Sequence, residues 1–261
     1  MGTSKNVTPA EAGVQTSSRP RIVVRGRLQS GTRNEILDSG FRRNDEPGIT
    51  FKDISIIIPV GPGENALEAL LDDLRPIEKE AELIVVRGAS RPKQLNDGVR
   101  RATRDFLWFL HADSRLAPKT LGALLKSLGN DPHALHYFNL RFLPGGPPLM
   151  FINEIGCWIR SRILGVPFGD QGFAVSKEIF ETLGGFPENV PYGEDHLFVW
   201  CARQKNIRLR CTGVSLYTSA RRYAETGWAR LTWDYARRWT RQAWPEWKKL
   251  YEKTSNVRQV S

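Results

Sequence analysis

A few carboxylates and arginines stand where loops follow apolar runs, and these positions set the chemistry available to the chain. Asp113 lies in His111-Ala112-Asp113-Ser114, directly after the apolar run 106–110. A carboxylate at the rim of a sheet suits a divalent cation held against a substrate phosphate. A turn or N-cap residue has the same signature. Glu194 and Asp195 follow a loop rich in Gly and Pro and precede a helical stretch at 196–204. One of them placed as a general base accepts the proton of an attacking hydroxyl, while helix capping explains acidic residues in a first turn equally well. Asp170 and Gln171, between Gly169 and Gly172, suit hydrogen bonds to sugar hydroxyls or a nucleotide, or else a plain turn. Arg221 and Arg222 follow Thr218-Ser219; two guanidinium groups beside two hydroxyls fit a diphosphate, and also an ordinary solvated pair. His111 and His196 each stand alone and read as structural rather than as ligands.

The elements that must position these groups follow from periodicity. Continuous apolar runs at 54–60, 82–86 and 106–110 read as buried strands. Leu67, Leu70, Leu71 and Leu74 predict a helix over 64–74; Leu95, Val99 and Ala102 predict one over 93–103, and a third is expected at 118–128. Three strand–helix alternations with strands apolar throughout imply a parallel sheet covered on both faces. In such sheets ligands bind beyond the carboxyl ends of the strands. That is where Gly61-Pro62-Gly63-Glu64, Arg87-Gly88-Ala89-Ser90 and His111-Ala112-Asp113-Ser114 fall. The second half is less regular. It offers a strand at 136–142, an amphipathic helix at 151–163, a Gly-rich loop at 165–172 before a short strand, and a strand near 208–216. No internal repeat is visible.

The chain has 261 residues, enough for one domain with tails, and its 40% hydrophobic and 25% charged content is that of a globular protein. Its net charge of +10 divides into +3 over residues 1–50, +1 over 51–220 and +6 over 221–261. A nearly neutral middle argues against a nucleic-acid-binding surface, whose basic footprint belongs on the recognition module. No apolar run approaches the ~20 residues that cross a bilayer. Residues 1–50 lack sustained periodicity and read as a basic, mostly disordered leader without a signal peptide. Cys157, Cys201 and Cys211 form no CxxC pair, which excludes a disulfide framework or zinc knuckle and points to the reducing cytosol. Five of the eight tryptophans lie after position 227, interleaved with Arg230, Arg237, Arg238 and Arg241. That is the composition of a helix lying on a membrane surface, or of one that packs its aromatics on the domain and solvates its basic face. Pro245 is expected to break or kink it.

Taken in order, the segments HADSRL, GVPFGDQGFAV, LGGFPENVPYGEDHL and TSARRYAETGW resemble a bacterial branch of the family 2 glycosyltransferases, the arsenosugar-biosynthesis-type branch, over about residues 53–251. The resemblance implies the α/β GT-A fold, a mixed, mostly parallel central sheet flanked by helices. It places one transferase domain at 51–224, between the leader at 1–50 and a basic, aromatic helical segment at 225–261. It implies inverting transfer of a sugar from a nucleotide-diphosphate donor to an acceptor hydroxyl. Asp113 then matches the second acidic residue of the family's metal- and diphosphate-binding DxD element, with Mg or Mn as the metal. Asp195 matches the general base, with Glu194 beside it. Asn96 and Gly98 match the segment against the nucleotide, Asp170 and Gln171 the loop facing the sugars, and Arg221 and Arg222 the diphosphate side. Pro59 and His111 complete the implied donor-binding set.

Three departures accompany the match. His111 replaces the first Asp of DxD, Arg87 stands where an Asp follows strand two, and the first turn reads PVGPGEN. The Arg87 change bears on the choice of nucleobase. The implied partners are a nucleotide-sugar donor and a hydroxyl acceptor. A lipid-linked acceptor and a peripheral place at the inner face of the membrane agree with the aromatic C-terminus. The other class of reading is a noncatalytic nucleotide-sugar- or membrane-binding module that keeps the fold.

Overall fold

The computed structural model describes residues 48–260, with side chains to residue 252. Apart from its last three residues, the leader expected over 1–50 lies outside the described residues. The chain alternates β1 (Ile54–Val60), α1 (Leu67–Leu74), β2 (Glu82–Arg87), α2 (Arg91–Arg101), β3 (Phe106–Phe109), β4 (Arg115–Leu116), α3 (Thr120–Asn130) and β5 (Ala134–Phe142). There follow α4 (Met150–Trp158), a π-helical turn Ile159–Ile163, β6 (Ala174–Ser176), α5 (Lys177–Leu183), α6 (Glu194–Gln204), β7 (Arg208–Thr218), α7 (Arg221–Thr226) and α8 (Trp228–Val260).

The strands form one sheet of seven in the order β2-β1-β3-β6-β5-β7-β4. Strands β1, β2, β3, β5 and β7 run the same way, while β6 lies antiparallel between β3 and β5 and β4 antiparallel on β7. This is the mixed, mostly parallel sheet flanked by helices that was expected. The pleat sends alternate side chains to opposite faces. Ile56, Ile58 and Val60 join Leu67, Leu70 and Leu124 in one core, whereas Ile57 joins Leu95, Val99 and Phe198 in the other. Pro59 is tolerated in this central strand because the β3 ladder ends at Ile57, so its missing N–H removes no sheet bond. Gly98 lets α2 lie against β1: a Cβ there would meet Ile57 Cγ2 at 2.4 Å.

Two elements depart from the periodicity reading. The stretch expected as one amphipathic helix over 151–163 is α4 plus the π-helical turn, and its apolar face is turned outward. Phe151, Ile155, Trp158 and Ile163 are all exposed. Pro245 does not end α8, which continues to Val260. Packing on both sides of the proline compensates for the lost helical bond. Ala243 is buried, Gln204 Nε2 donates to Glu246 Oε2 (2.8 Å), and Leu250 packs on the core. Among the described residues, no helix is long and apolar enough to cross a membrane.

Candidate active site

The carboxyl ends of the five like-directed strands share one edge of the sheet with the N-terminal ends of β6, α2 and α6. Asp195 is built in from that edge. Gly193 (φ 70°) turns the chain into α6, so the first turn begins with Glu194 and Asp195, where the helix dipole favours negative charge. Asp195 Oδ2 accepts the Gly169 N–H (2.7 Å) and Oδ1 the His196 N–H (2.8 Å). Arg91, at the start of α2, bonds Glu194 Oε1 and brings Nη2 to 3.6 Å from Asp195 Oδ2. Burial opposes the charge of Asp195, but Arg91 and the two backbone N–H groups outweigh it and hold the carboxyl below its usual range. Burial likewise opposes the charge on Arg91, and the paired Asp195 and Glu194 outweigh it.

His111 faces the same arginine. Its Nε2 lies 3.4 Å from Arg91 Nη1 and is the acceptor, because guanidinium offers only donors. Burial, reinforced by Arg91, pushes its pKa far down, so the ring is neutral. Asp170 sits in the one-turn 3₁₀ segment Gly169–Gln171. Burial raises its pKa to about 6; Asp195 and Asp113 add to the rise, against Arg160 and Arg91. Its Oδ1 is buried and has no protein partner, an acceptor left without a hydrogen bond. Asp113 is raised by burial and by Glu64, and lowered by Arg221 and the Ser219 N–H. Arg221 is held in place by both oxygens of Glu64.

The structure therefore gathers His111, Asp113, Asp170, Glu194, Asp195 and Arg221. Other candidates are occupied elsewhere. Asn96 accepts the Phe186 N–H (3.0 Å) and donates to Phe186 O and Glu188, tying α2 to the GGFP loop. Gln171 is fully buried; it donates to Phe138 O (2.8 Å) and accepts from Phe168 N–H (3.1 Å). Arg222 points toward α8, its guanidinium 5.8 Å from the Tyr235 ring. Three residues not singled out from sequence belong to the cluster: Arg91, Glu64 and Arg160, the last lying over the Phe168 ring at 3.1 Å and reaching Gln171. An arginine opening a helix directly after a strand-end loop was the available signal for Arg91.

Among the described residues no group of three or more His, Cys, Asp or Glu is arranged to hold a metal alone. Asp113 is a single carboxylate, which suits a divalent ion only where substrate phosphates share its coordination, the mode magnesium favours.

Against known proteins, residues 68–150 match the model described as Glycosyl transferase family 2, a span that includes His111 and Asp113 but ends before Asp170 and Asp195. No curated protein matches the sequence significantly. Among solved structures, S. aureus TarS aligns at 17% identity and a TM-score of 0.49, covering 64% of this chain and 36% of that one. TarS 1-349 in complex with UDP-GlcNAc aligns with the same identity and score over 58% of its length. The mannosyltransferase PcManGT from Pyrobaculum calidifontis, in complex with GDP-Man and Mn2+, aligns at 18% identity and a TM-score of 0.44, covering 63% of this chain and 56% of that one. The chain spans 36% to 58% of the length of these three.

Proposed function

From the premise that residues 68–150 carry a family 2 glycosyltransferase segment, we propose that the chain transfers a sugar from a nucleotide-diphosphate donor to an acceptor hydroxyl with inversion. The observation that carries this reading is the meeting of Asp113, Asp170 and Asp195 with Arg91 and Arg221 at the carboxyl edge of the sheet. The acceptor oxygen attacks the anomeric carbon, and the bond from that carbon to the diphosphate oxygen breaks. Asp195, kept ionised by Arg91, takes the acceptor's proton. Glu194 anchors the other side of Arg91 and so fixes its direction. The unpartnered Asp170 Oδ1 accepts a sugar hydroxyl. Arg221, steadied by Glu64, faces the leaving diphosphate as its charge grows. Asp113 would hold the divalent ion, Mg or Mn, which supplies charge neutralisation at the diphosphate.

In this reading 51–224 form the transferase unit and 225–261 a helical extension that contacts a membrane surface on the cytoplasmic side, with a lipid-linked acceptor. A thermal-shift panel of nucleotide sugars, followed by donor turnover with and without Asp195→Asn, tests the transferase reading. Donor binding with turnover abolished by the substitution is expected. Binding without turnover in the unmodified chain assigns it instead as a noncatalytic module, and no binding to any donor removes the reading.

A further inference from the structure

The outward face of α4 is the largest unexplained feature of the surface. Phe151, Ile152, Ile155, Trp158 and Ile159 recur at helical spacing and are exposed, and Ile163 and Leu164 extend the patch past the π-helical turn. Soluble surfaces rarely leave so much contiguous aliphatic area uncovered. Over 149–164 the lone carboxylate is Glu154, which is taken up by Arg141 (2.9 Å) and the Phe142 N–H (2.8 Å). Arg162 is the exposed charge on the turn.

A second exposed strip lies on α8. Trp233, Trp244, Trp247 and Tyr251 share one side of the helix, at spacings of 11, 3 and 4 residues. Trp244, Trp247 and Tyr251 stack in succession. Arg230, Arg237, Arg241 and Lys248 form a parallel, exposed row beside them. The two helices are bolted together: Trp228 Nε1 donates to Asn153 Oδ1 (2.6 Å), and Asn153 Nδ2 donates to Thr232 Oγ1 (3.1 Å).

We propose that the α4 face, with the aromatic–basic strip of α8, docks on an anionic lipid bilayer. Charge selects this occupant. Both surfaces carry cations, and the carboxylates Glu154, Asp234 and Glu246 along them are paired with basic side chains. This leaves Glu252 as the exposed carboxylate at the far end of the α8 strip and matches anionic headgroups above hydrocarbon. Chemistry selects it too. Protein interfaces ask for about one hydrogen bond per 100–200 Å², whereas the aliphatic α4 face offers almost no donor or acceptor and hydrocarbon requires none. The π-helical turn that extends this face also carries Arg160, which reaches Gln171 beside Asp170. Resting on the transferase reading, docking here deepens it: the acceptor is a hydroxyl presented at headgroup level, on the Asp170 side of the site.

The test uses the full chain and vesicles of phosphatidylcholine with or without phosphatidylglycerol. Cosedimentation with the mixed vesicles is expected, weakened about tenfold in their neutral counterparts and by high salt. The pair Ile155→Asp and Trp158→Glu should weaken it at least about tenfold, while the melting temperature and nucleotide-sugar binding stay unchanged because both side chains are half exposed. The proposal is overturned if the unmodified chain stays in the supernatant or if the variant cosediments equally well. Concentration-dependent dimerisation abolished by the same pair would assign the face to a second copy instead. Vesicle binding is read without any sugar, so its failure and that of the transferase reading remain separate results.

Discussion

Asp195 has both oxygens engaged and its charge secured by Arg91, so in the proposed role of base it would act through position rather than through an elevated pKa. Asp195→Asn keeps the side-chain shape, turns one of the two accepting oxygens into an NH2 donor facing a backbone N–H, and removes the proton acceptor. Transfer should fall by roughly 10²–10⁴-fold, with donor affinity nearly unchanged, measured by turnover and titration of the same preparation. Asp170 behaves oppositely. Its pKa of about 6 lies within the working range, and a sugar hydroxyl donates best to its ionised form. The rate should therefore rise with pH through about 6, and Asp170→Asn should flatten that limb; a limb that persists in the variant ends this assignment. At this scale much was legible. A carboxylate after an apolar strand and an acidic pair before a helix both fall at the site, since strand ends are fixed by hydrophobic pattern. The place of Arg91 at a helix start was legible, but its meeting with Glu194 was not, because that partner lies 103 residues away and no local spacing encodes the contact. Asn96 and Gln171 illustrate the reverse limit: their amides look free in sequence, and backbone groups of distant loops claim them.

Element packing explains why Asp195 stays where it is. Gly169 approaches it so closely that a Cβ would meet Asp195 Oδ2 at 3.0 Å and its Cβ at 3.1 Å. Gly169→Ala should displace the carboxylate and lower kcat by about tenfold or more, with a small loss of stability, resolved by comparing kcat with the urea midpoint. On the opposite side, α8 braces the same turn. Gln242 donates to Tyr192 O (2.9 Å) and faces His196 Nδ1 (3.2 Å), while His196 Nε2 accepts the Trp200 indole N–H (2.8 Å). Nδ1 therefore carries the proton, and burial holds the ring neutral. Removing this brace with Gln242→Ala should reduce kcat more than it changes donor affinity. An unchanged kcat would show that α6 holds its own first turn. The helices themselves were readable from leucine spacing. The outward face of α4 was not, since periodicity reports an apolar side but not which way it points.

For the molecule as a whole, the alternation of apolar strands and helices made the parallel part of the sheet legible, and the antiparallel place of β6 was not, because that strand is only three residues long. Stability is expected to vary with acid in a defined way. Asp131 bonds Arg208 (2.7 Å) and Arg210 (2.8 Å). Burial opposes its charge, but these partners hold its pKa below the usual value. A depressed carboxylate contributes stability that is complete above its unfolded pKa and disappears as pH falls through its folded one. Asp131→Asn should cost about 1 kcal/mol at neutral pH, since both arginines are largely exposed. The gap to the unmodified chain should close under strong acid, as urea titrations at two pH values would show.

The ladder between β5 and β7 has a bearing on synthesis. Ala134 pairs with Arg208 and Phe142 with Thr218, and β4 in turn pairs only with β7. A chain emerging from the ribosome can assemble β1, β2 and β3 early. One flank of β5 and both residues of β4 wait until Arg208–Thr218 have been translated. During that interval a long edge of Ala134–Phe142 stays unpaired, and such edges attract other chains. The interval over which that edge is exposed is thus set by a single late strand.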